Sequence, residues 1–173
     1  TPPDKEIINV LKVFFGNNPI SLICPIDKNR IFSYDSCVTT SSFNKIRTFA
    51  LNNKKLDPDL ALDKNFKMTQ NPNNAEFLLP IGGHKGTGLS LLVDILTGGL
   101  SGMRMADQVT SMYGGNIKNK RYLSQTFIVL NLKMITNKNV FCKNLLNLIK
   151  RIKNNKKIDL KKQDPRYPGE IEE

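Results

Sequence analysis

The residues best suited to chemistry gather in one stretch, positions 78–96. His84, the only histidine in the chain, stands beside Lys85, and four glycines, Gly82, Gly83, Gly86 and Gly88, fall within seven residues. A short apolar run ends at Pro80 before them, and a longer apolar segment from Leu89 to Leu96 follows, interrupted only by Ser90 and Asp94. The order reads as strand, glycine loop, helix. Glycines at a helix mouth let backbone N–H groups approach a ligand, and those donors with the helix dipole favour a negative group such as phosphate. A turn that only lets the helix pack tightly uses the same residues, and both readings stand on this stretch alone.

Two phosphate motifs can be tested against it. From Gly83 to Ser90 the spacing matches a Walker A loop, but Leu89 stands where the lysine must reach the terminal phosphates, which argues against a nucleotide triphosphatase. The dinucleotide fingerprint G-x-G-x-x-G begins at Gly86 and Gly88 and then meets Leu91 instead of glycine. No strong βα unit with an acidic ribose ligand accompanies it, so an ordinary Rossmann reading fails too.

A second candidate lies upstream. Asp35-Ser36-Cys37-Val38-Thr39-Thr40-Ser41-Ser42 sets small hydroxyl residues after a strand and before a helix-compatible segment from Phe43 to Leu51. Such a helix start offers backbone and side-chain donors to an anion, while simple N-capping by Ser or Thr explains the composition without a ligand.

The whole chain limits what these stretches can do. Its 173 residues suffice for one domain, or one domain with a tail, and 39% hydrophobic with 24% charged residues is ordinary for a globular protein. No apolar run is long enough to span a membrane, and no secretory leader is visible; because the chain opens on Thr1, its natural N-terminus is expected to lie further upstream. The net charge of +11 is compatible with nucleic acid. Yet the lysines are scattered or sit in loops such as Asn52-Asn53-Lys54-Lys55, without interleaved aromatics, so a solvated surface is the simpler reading. Cys24, Cys37 and Cys142 show neither a disulfide framework nor zinc-ligand spacing, which implies a reducing, cytoplasmic compartment and no metal. A single histidine also rules out a His-pair metal site and most nucleophile-histidine-acid sets within one chain.

In chain order, the first dozen residues leave strand and short helix open. Phe14 to Pro19 is a turn, Ile20 to Cys24 a strand closed by Pro25, and Asp27 to Arg30 a four-residue loop into a returning strand from Ile31 to Tyr34. Asn52 to Asn74 reads as a polar surface excursion marked by Asp57-Pro58 and Asn71-Pro72. The helix after the glycine loop is expected to stop at Gly98-Gly99. Residues 101–120 are irregular, with Gly114-Gly115 hinge-like. Thr126 to Leu132 is the clearest strand, rich in β-branched residues. Val140 to Lys153 places Phe141, Leu145, Leu148, Ile149 and Ile152 on one face of a covering helix. The predicted fold is α/β, with an α+β-like character: a three-layer domain whose mixed, largely antiparallel sheet is covered by helices.

Taken together, these stretches resemble the type II malate/L-lactate dehydrogenase family, which includes ureidoglycolate, sulfolactate and diketogulonate oxidoreductases. Residues 78–89 match its pattern L-L-P-x-G-G-H-K-G-x-G-L, and Phe15-Gly16-Asn17-Asn18-Pro19-Ile20 is similar to its F-G-T-N-P-I. Asp35 to Ile46 fits D-M-A-T-S with a spaced G-K-I, and Pro168-Gly169-Glu170 fits its late P-G-E. The four segments keep the family order across almost the whole chain. Asp35-Ser36-Cys37-Val38-Thr39 departs from D-M-A-T-S, Asn44 replaces a glycine, and Thr87 replaces a common tyrosine.

The resemblance implies an NAD(P)-binding domain working in a homodimer on small 2-hydroxy or 2-oxo acids by hydride transfer, with no membrane or nucleic-acid partner. It makes Asp35, Ser36, Cys37, Val38 and Thr39 cofactor contacts, joined by His84, Lys85 and Gly86, with Pro168, Gly169 and Glu170 closing one side. The family's catalytic histidine and substrate-binding arginine lie ahead of this chain, so no catalytic residue is assigned within it. His84 is read as a cofactor contact rather than the proton-transferring acid. Lys45 and Arg47 could favour a 2′-phosphate, and hence NADP over NAD, or be solvated helix residues. On this reading residues 1–153 form the cofactor-binding domain, and 154–173 a tail that packs on an absent N-terminal catalytic domain. The alternatives are a non-catalytic dinucleotide-binding or dimerisation module and a basic nucleic-acid binder.

Overall fold

The computed structural model describes residues 15–110, 118–154 and 165–170. The chain divides into two compact units, one made of Thr1–Ile20 with Cys37–Thr126, the other of Ser21–Ser36 with Phe127–Glu173. Helices and small antiparallel sheets make up both, with no closed barrel and no parallel sheet among the described residues. The α/β fold class expected from the sequence is thus present.

In the first unit, helix α1 (Phe43–Leu51) starts where the Ser42 hydroxyl accepts the Lys45 N–H, satisfying one of the helix's unpaired first-turn donors. Its inward residue, Ile46, packs with Leu56, Ala61 and Leu78 to form this unit's core, flanked by Phe43, Phe49, Leu60 and Ala75. Three two-residue strands lie beside it: β3 (Ala61–Leu62), β4 (Met68–Thr69) and β5 (Phe77–Leu78), in the order β4-β3-β5. Ala61 is the register point, opposite Thr69 on one side and Leu78 on the other.

The polar excursion expected over Asn52 to Asn74 is therefore corrected. It contributes Leu56, Ala61 and Leu62, all about 2% exposed or less, to the interior. Asp63 turns the chain between β3 and β4 by accepting the backbone N–H groups of Asn65 and Lys67 at 2.8 and 3.0 Å. The turns are solvated, and so is Met68 on the edge strand β4.

Helix α2 (His84–Asp94) follows the glycine loop and runs on through a wider π-type turn, Ile95–Gly99, to residue 101. The expected stop at Gly98-Gly99 is moved: the chain reverses at Gly102, whose φ of +67° belongs to the left-handed region open to glycine. Gly98 instead serves close packing, since a Cβ there would lie 2.6 Å from the Arg104 carbonyl oxygen. Beyond it, residues 102–110 are irregular apart from a short 3-10 turn, Ala106–Gln108. Gly114 and Gly115 lie outside the described residues, as do positions 1–14.

The second unit is built on a hairpin of β1 (Ile20–Pro25) and β2 (Ile31–Ser36), strand β1 beginning at the last residue of the first unit. Its turn is closed by the Ile26 N–H on the Arg30 carbonyl at 2.9 Å, a connection short enough only for antiparallel strands. The Asp27 carboxylate accepts the N–H groups of Asn29 and Arg30 and a two-pronged contact from the Arg30 guanidinium at 2.9 and 2.6 Å. That guanidinium is the main reason the Asp27 carboxyl is held below its usual range.

Two helices follow, α3 (Leu132–Ile135) and α4 (Lys138–Lys153), capped by the side-chain carbonyls of Asn131 and Asn137. Lys150, Arg151 and Lys153 in the last turn of α4 face the negative end of its dipole. Ile149 packs with Ile26 and Tyr167 as this unit's core, with Phe32, Leu145 and Leu146 around it. The covering helix is as expected, but its inward stripe shifts: Leu148 and Ile152 are exposed, while Leu146 and Cys142 turn in.

The largest correction concerns Thr126 to Leu132. No strand forms there, Leu132 opens α3, and Phe127, Ile128, Val129 and Leu130 are 66–91% exposed. A high β propensity needs a neighbouring strand to complete its ladder, and none among the described residues pairs with this segment.

Candidate functional site

The glycine loop is shaped by backbone geometry. Gly82 and Gly83 both have positive φ, +59° and +61°, and Gly83 caps α2 with no side-chain hydrogen bond. At ψ −119° Gly83 occupies a conformation that side chains exclude, and nothing lies within 4 Å of where its Cβ would be. The first turn of α2 therefore opens to solvent without a side chain across it. His84 and Lys85 are exposed on that turn.

Gly86 does the opposite. It is buried, and a Cβ there would lie 2.2 Å from the Ile81 carbonyl oxygen and 2.8 Å from its nitrogen. The absence of a side chain lets the helix press on the turn that leads into it. The two explanations open for the glycines are divided between residues: Gly83 leaves the helix mouth clear, and Gly86 packs it.

The hydroxyl-rich turn lies directly against this loop. Thr39 and Pro80 form an antiparallel bridge, the Ile81 N–H donates to the Val38 carbonyl at 2.9 Å, and the Thr40 N–H to the Leu79 carbonyl at 2.7 Å. Val38, 3% exposed, is also fixed from the other side, its N–H donating to the Asn17 carbonyl at 3.0 Å. Segments of three sequence motifs, around Asn17, Val38 and Ile81, are thereby laced together within one unit. A shallow cleft lined by Phe15, Gly16, Thr39, Pro80, Thr87 and Ser90 runs where they meet.

Inside the turn the side chains are folded onto their own backbone. The Thr39 hydroxyl donates to the Ser41 carbonyl at 2.7 Å and lies 3.2 Å from the Cys37 sulfur. Ser41 is 6% exposed, and its hydroxyl oxygen is the one fully buried side-chain oxygen or nitrogen without a hydrogen-bond partner among the described residues. An orphaned hydroxyl next to the helix start of α1 fits an additional polar ligand. Lys45 and Arg47 stand exposed on α1.

Asp35 and Ser36 end β2 and lead into this turn. In the second unit, Pro168, Gly169 and Glu170 lie along β2, where the Ser33 N–H donates to the Pro168 carbonyl at 3.2 Å. Gly169 takes φ +96° with its α-carbon face against Ser33 and Ile31. Glu170 pairs with Lys153 and accepts the Tyr167 N–H at 3.3 Å. The P-G-E stretch is thus a turn anchored on the hairpin, with Tyr167 buried beside it.

One structural group went unread in the sequence. Asn18, left there as part of a turn, donates through its side-chain nitrogen to the Ser90 carbonyl at 2.8 Å and to Asp94 at 2.9 Å. The second carboxylate oxygen of Asp94 accepts the Ala106 N–H at 2.6 Å. Asp94 breaks the apolar run of α2, and a lone acid in such a run is a signal for a buried polar contact.

These features define an α/β protein in which a glycine-opened helix start lies beside a hydroxyl-rich helix start, the donor chemistry of an anion cradle, outside the Rossmann strand order. The chain belongs to the malate/L-lactate dehydrogenase family, whose sequence model matches residues 9–173. It is 31% identical over 134 residues to the ureidoglycolate dehydrogenase (NAD(+)) of Escherichia coli K12, covering 78% of this chain and 38% of that enzyme. Against the malate dehydrogenase of Pyrococcus abyssi it is 30% identical over 152 residues, 82% of this chain and 41% of that one. Among solved structures, the sulfolactate dehydrogenase of Methanocaldococcus jannaschii superposes with a TM-score of 0.75 at 26% identity, over 92% of this chain and 45% of the other. The chain spans less than half the length of each of these relatives.

Proposed function

We propose that this chain is the cofactor-binding part of an NAD(P)-dependent oxidoreductase acting on small 2-hydroxy and 2-oxo acids. The observation that carries the reading is the antiparallel lacing of the hydroxyl-rich turn to the glycine loop, Thr39 against Pro80 and Val38 against Ile81. It sets two helix N-termini side by side at the stretches that match the family. The clear helix mouth at Gly83 and the orphaned Ser41 hydroxyl fit the phosphate and hydroxyl groups of a dinucleotide.

When bound, the nicotinamide supplies the hydride. This chain's part is to hold and orient it. The first-turn N–H groups of α2, with Lys85 and His84, face negative charge; Asp35, Ser36, Cys37 and Thr39 offer polar contacts along the turn. Val38 and Gly86 set the backbone of the two stretches, and Pro168, Gly169 and Glu170 complete the set taken from the family likeness. The histidine and arginine expected to move the proton and hold the substrate carboxylate belong to a domain outside this chain, so residues 1–153 act as the cofactor domain, while the 167–170 stretch of the tail expected to pack on that other domain lies instead on this chain's own hairpin and α4. We further propose that the working enzyme is a cytoplasmic homodimer. Lys45 and Arg47 on α1 are the residues through which NADPH would be distinguished from NADH.

A second reading, a dinucleotide-binding module without activity, draws on the single histidine, His84. Fluorescence titration of the chain with NADH and with NADPH tests the main reading, with intact mass measured on the same sample. Saturable binding of either, abolished in Gly83→Val and weakened in Lys85→Ala, is expected. A folded chain that binds neither nucleotide overturns it. Turnover of malate, lactate or ureidoglycolate by the full-length protein, set beside binding without turnover, then separates enzyme from module.

A further inference from the structure

The three cysteines are all thiols, and the proposed function leaves two of them, Cys24 and Cys142, without a task. Helix α4 lies over the hairpin: Leu145, Leu146 and Ile149 pack against Ile26 and Phe32. One turn earlier on the same face, the Cys142 thiol lies 3.6 Å from the carbonyl oxygen of Pro25. Cys24 is the residue before Pro25 in β1. Both thiols are half-buried. The Cys24 thiol is pushed up chiefly by burial and further by the negative charge a Cys142 thiolate would bring. Cys37 belongs to the other unit, its sulfur turned onto Thr39 and the Ser41 carbonyl.

We propose that Cys24 and Cys142 form a redox-linked pair that closes to a disulfide under peroxide and reopens with a dithiol, tying the β1–β2 hairpin to α4. In the first step one cysteine sulfur attacks hydrogen peroxide, the O–O bond breaks, and a sulfenic acid and one water form. The second thiol then attacks that sulfur, the S–O bond breaks, and a second water leaves with the thiol's proton. Two thiols lose two electrons and two protons in all, and peroxide is reduced to two waters. A dithiol reverses the bond through a mixed disulfide, as suits a pair working in a reducing compartment. The link joins a strand to a helix far along the chain, Pro25 and Cys142 being 117 positions apart. It would fix the strand pair whose end delivers Asp35 and Ser36.

The test is peptide mapping by mass spectrometry without reduction, on the native chain treated with hydrogen peroxide and then with dithiothreitol. The expected product is a single intramolecular peptide pair containing Cys24 and Cys142, lighter by two hydrogens and restored by the dithiol. Cys24→Ser and Cys142→Ser should each lose that product. Only the unmodified chain should gain a higher unfolding temperature after peroxide. Links through Cys37, links between chains, or only sulfinic and sulfonic products would overturn the proposal. If either variant fails to fold, the map of the unmodified chain decides alone. Cofactor binding plays no part in this readout, so the pair stands or falls independently of the proposed function.

Discussion

Replacing Gly86 with alanine tests how the glycine loop is built. The added Cβ would meet the Ile81 carbonyl oxygen at 2.2 Å, its nitrogen at 2.8 Å and its carbonyl carbon at 3.0 Å. All three are backbone atoms of Ile81, the turn residue whose N–H is bonded to the Val38 carbonyl, so no side chain can rotate away, and either α2 or that turn must move. Forcing atoms into a packed site costs about 1–3 kcal/mol, and backbone contacts this short belong to the upper part of that range. Alanine recovers up to about 1 kcal/mol of helix propensity. The net expectation is a loss of about 2 kcal/mol, or roughly 4–8 °C in unfolding temperature for a chain of this size. Gly88, two residues on in the same helix, has nothing within 4 Å of its Cβ position. Gly88→Ala keeps the propensity gain without the clash and is expected to leave stability unchanged or raise it by up to about 1 kcal/mol. Urea and thermal unfolding of both variants, followed by circular dichroism, make the comparison. If Gly86→Ala proves as stable as Gly88→Ala, the close approach of α2 to Ile81 is not what fixes the glycine.

Three other outcomes are expected. Asp94→Ala should destabilise by about 1–3 kcal/mol, because the Asn18 side chain and the Ala106 N–H lose their acceptor and Ala106 is held at φ +50°; urea unfolding would show it, and an unchanged midpoint would refute the role. Because the Asp27 carboxyl is depressed by Arg30, its contribution is present above the ordinary carboxylate range and lost as pH falls through the lowered value; the pH profile of stability should therefore flatten on the acid side in Asp27→Asn. Gly169→Ala, at φ +96° and against Ser33 and Ile31, should cost about 1–2 kcal/mol from backbone conformation alone, measured again by denaturant unfolding.

The elements nearest the candidate site were readable because their residues act locally. Ser42 caps α1 through a contact three residues away, Gly82 and Gly83 set their own turn, and Asp27 closes its own hairpin. The P-G-E stretch was legible only through the family pattern, because its contacts are with Ser33 and Ile31 far upstream. What escaped depends on partners distant in sequence. Strands β3, β4 and β5 are two residues each, too short for alternation to show, and the buried Leu56 and Leu62 sit among solvated asparagines and lysines. Gly98-Gly99 carries the composition of a helix stop, but Arg104 returns close to Gly98 and gives that glycine a packing task. The β-branched run at 126–131 carries a strand's composition without a strand beside it among the described residues. In α4, the choice between Leu146 and Leu148 as the inward residue was settled by where Ile26 and Phe32 lie, which periodicity cannot supply.

The bridge between Thr39 and Pro80 also makes residues 41–78 a closed circuit. Its two ends meet at the bridge, and it carries its own interior of Ile46, Leu56, Ala61 and Leu78. Lengthening a flexible loop adds closure entropy only logarithmically, about 0.6 kcal/mol for each doubling. The exposed turns within the circuit, such as residues 63–67, can therefore gain or lose residues over evolutionary time while the neck keeps its register. The neck itself is held from within the circuit, where the Leu60 carbonyl accepts both the Leu79 N–H and the Thr40 hydroxyl at 3.2 Å, so the distal turns and not the neck are the places where length can change.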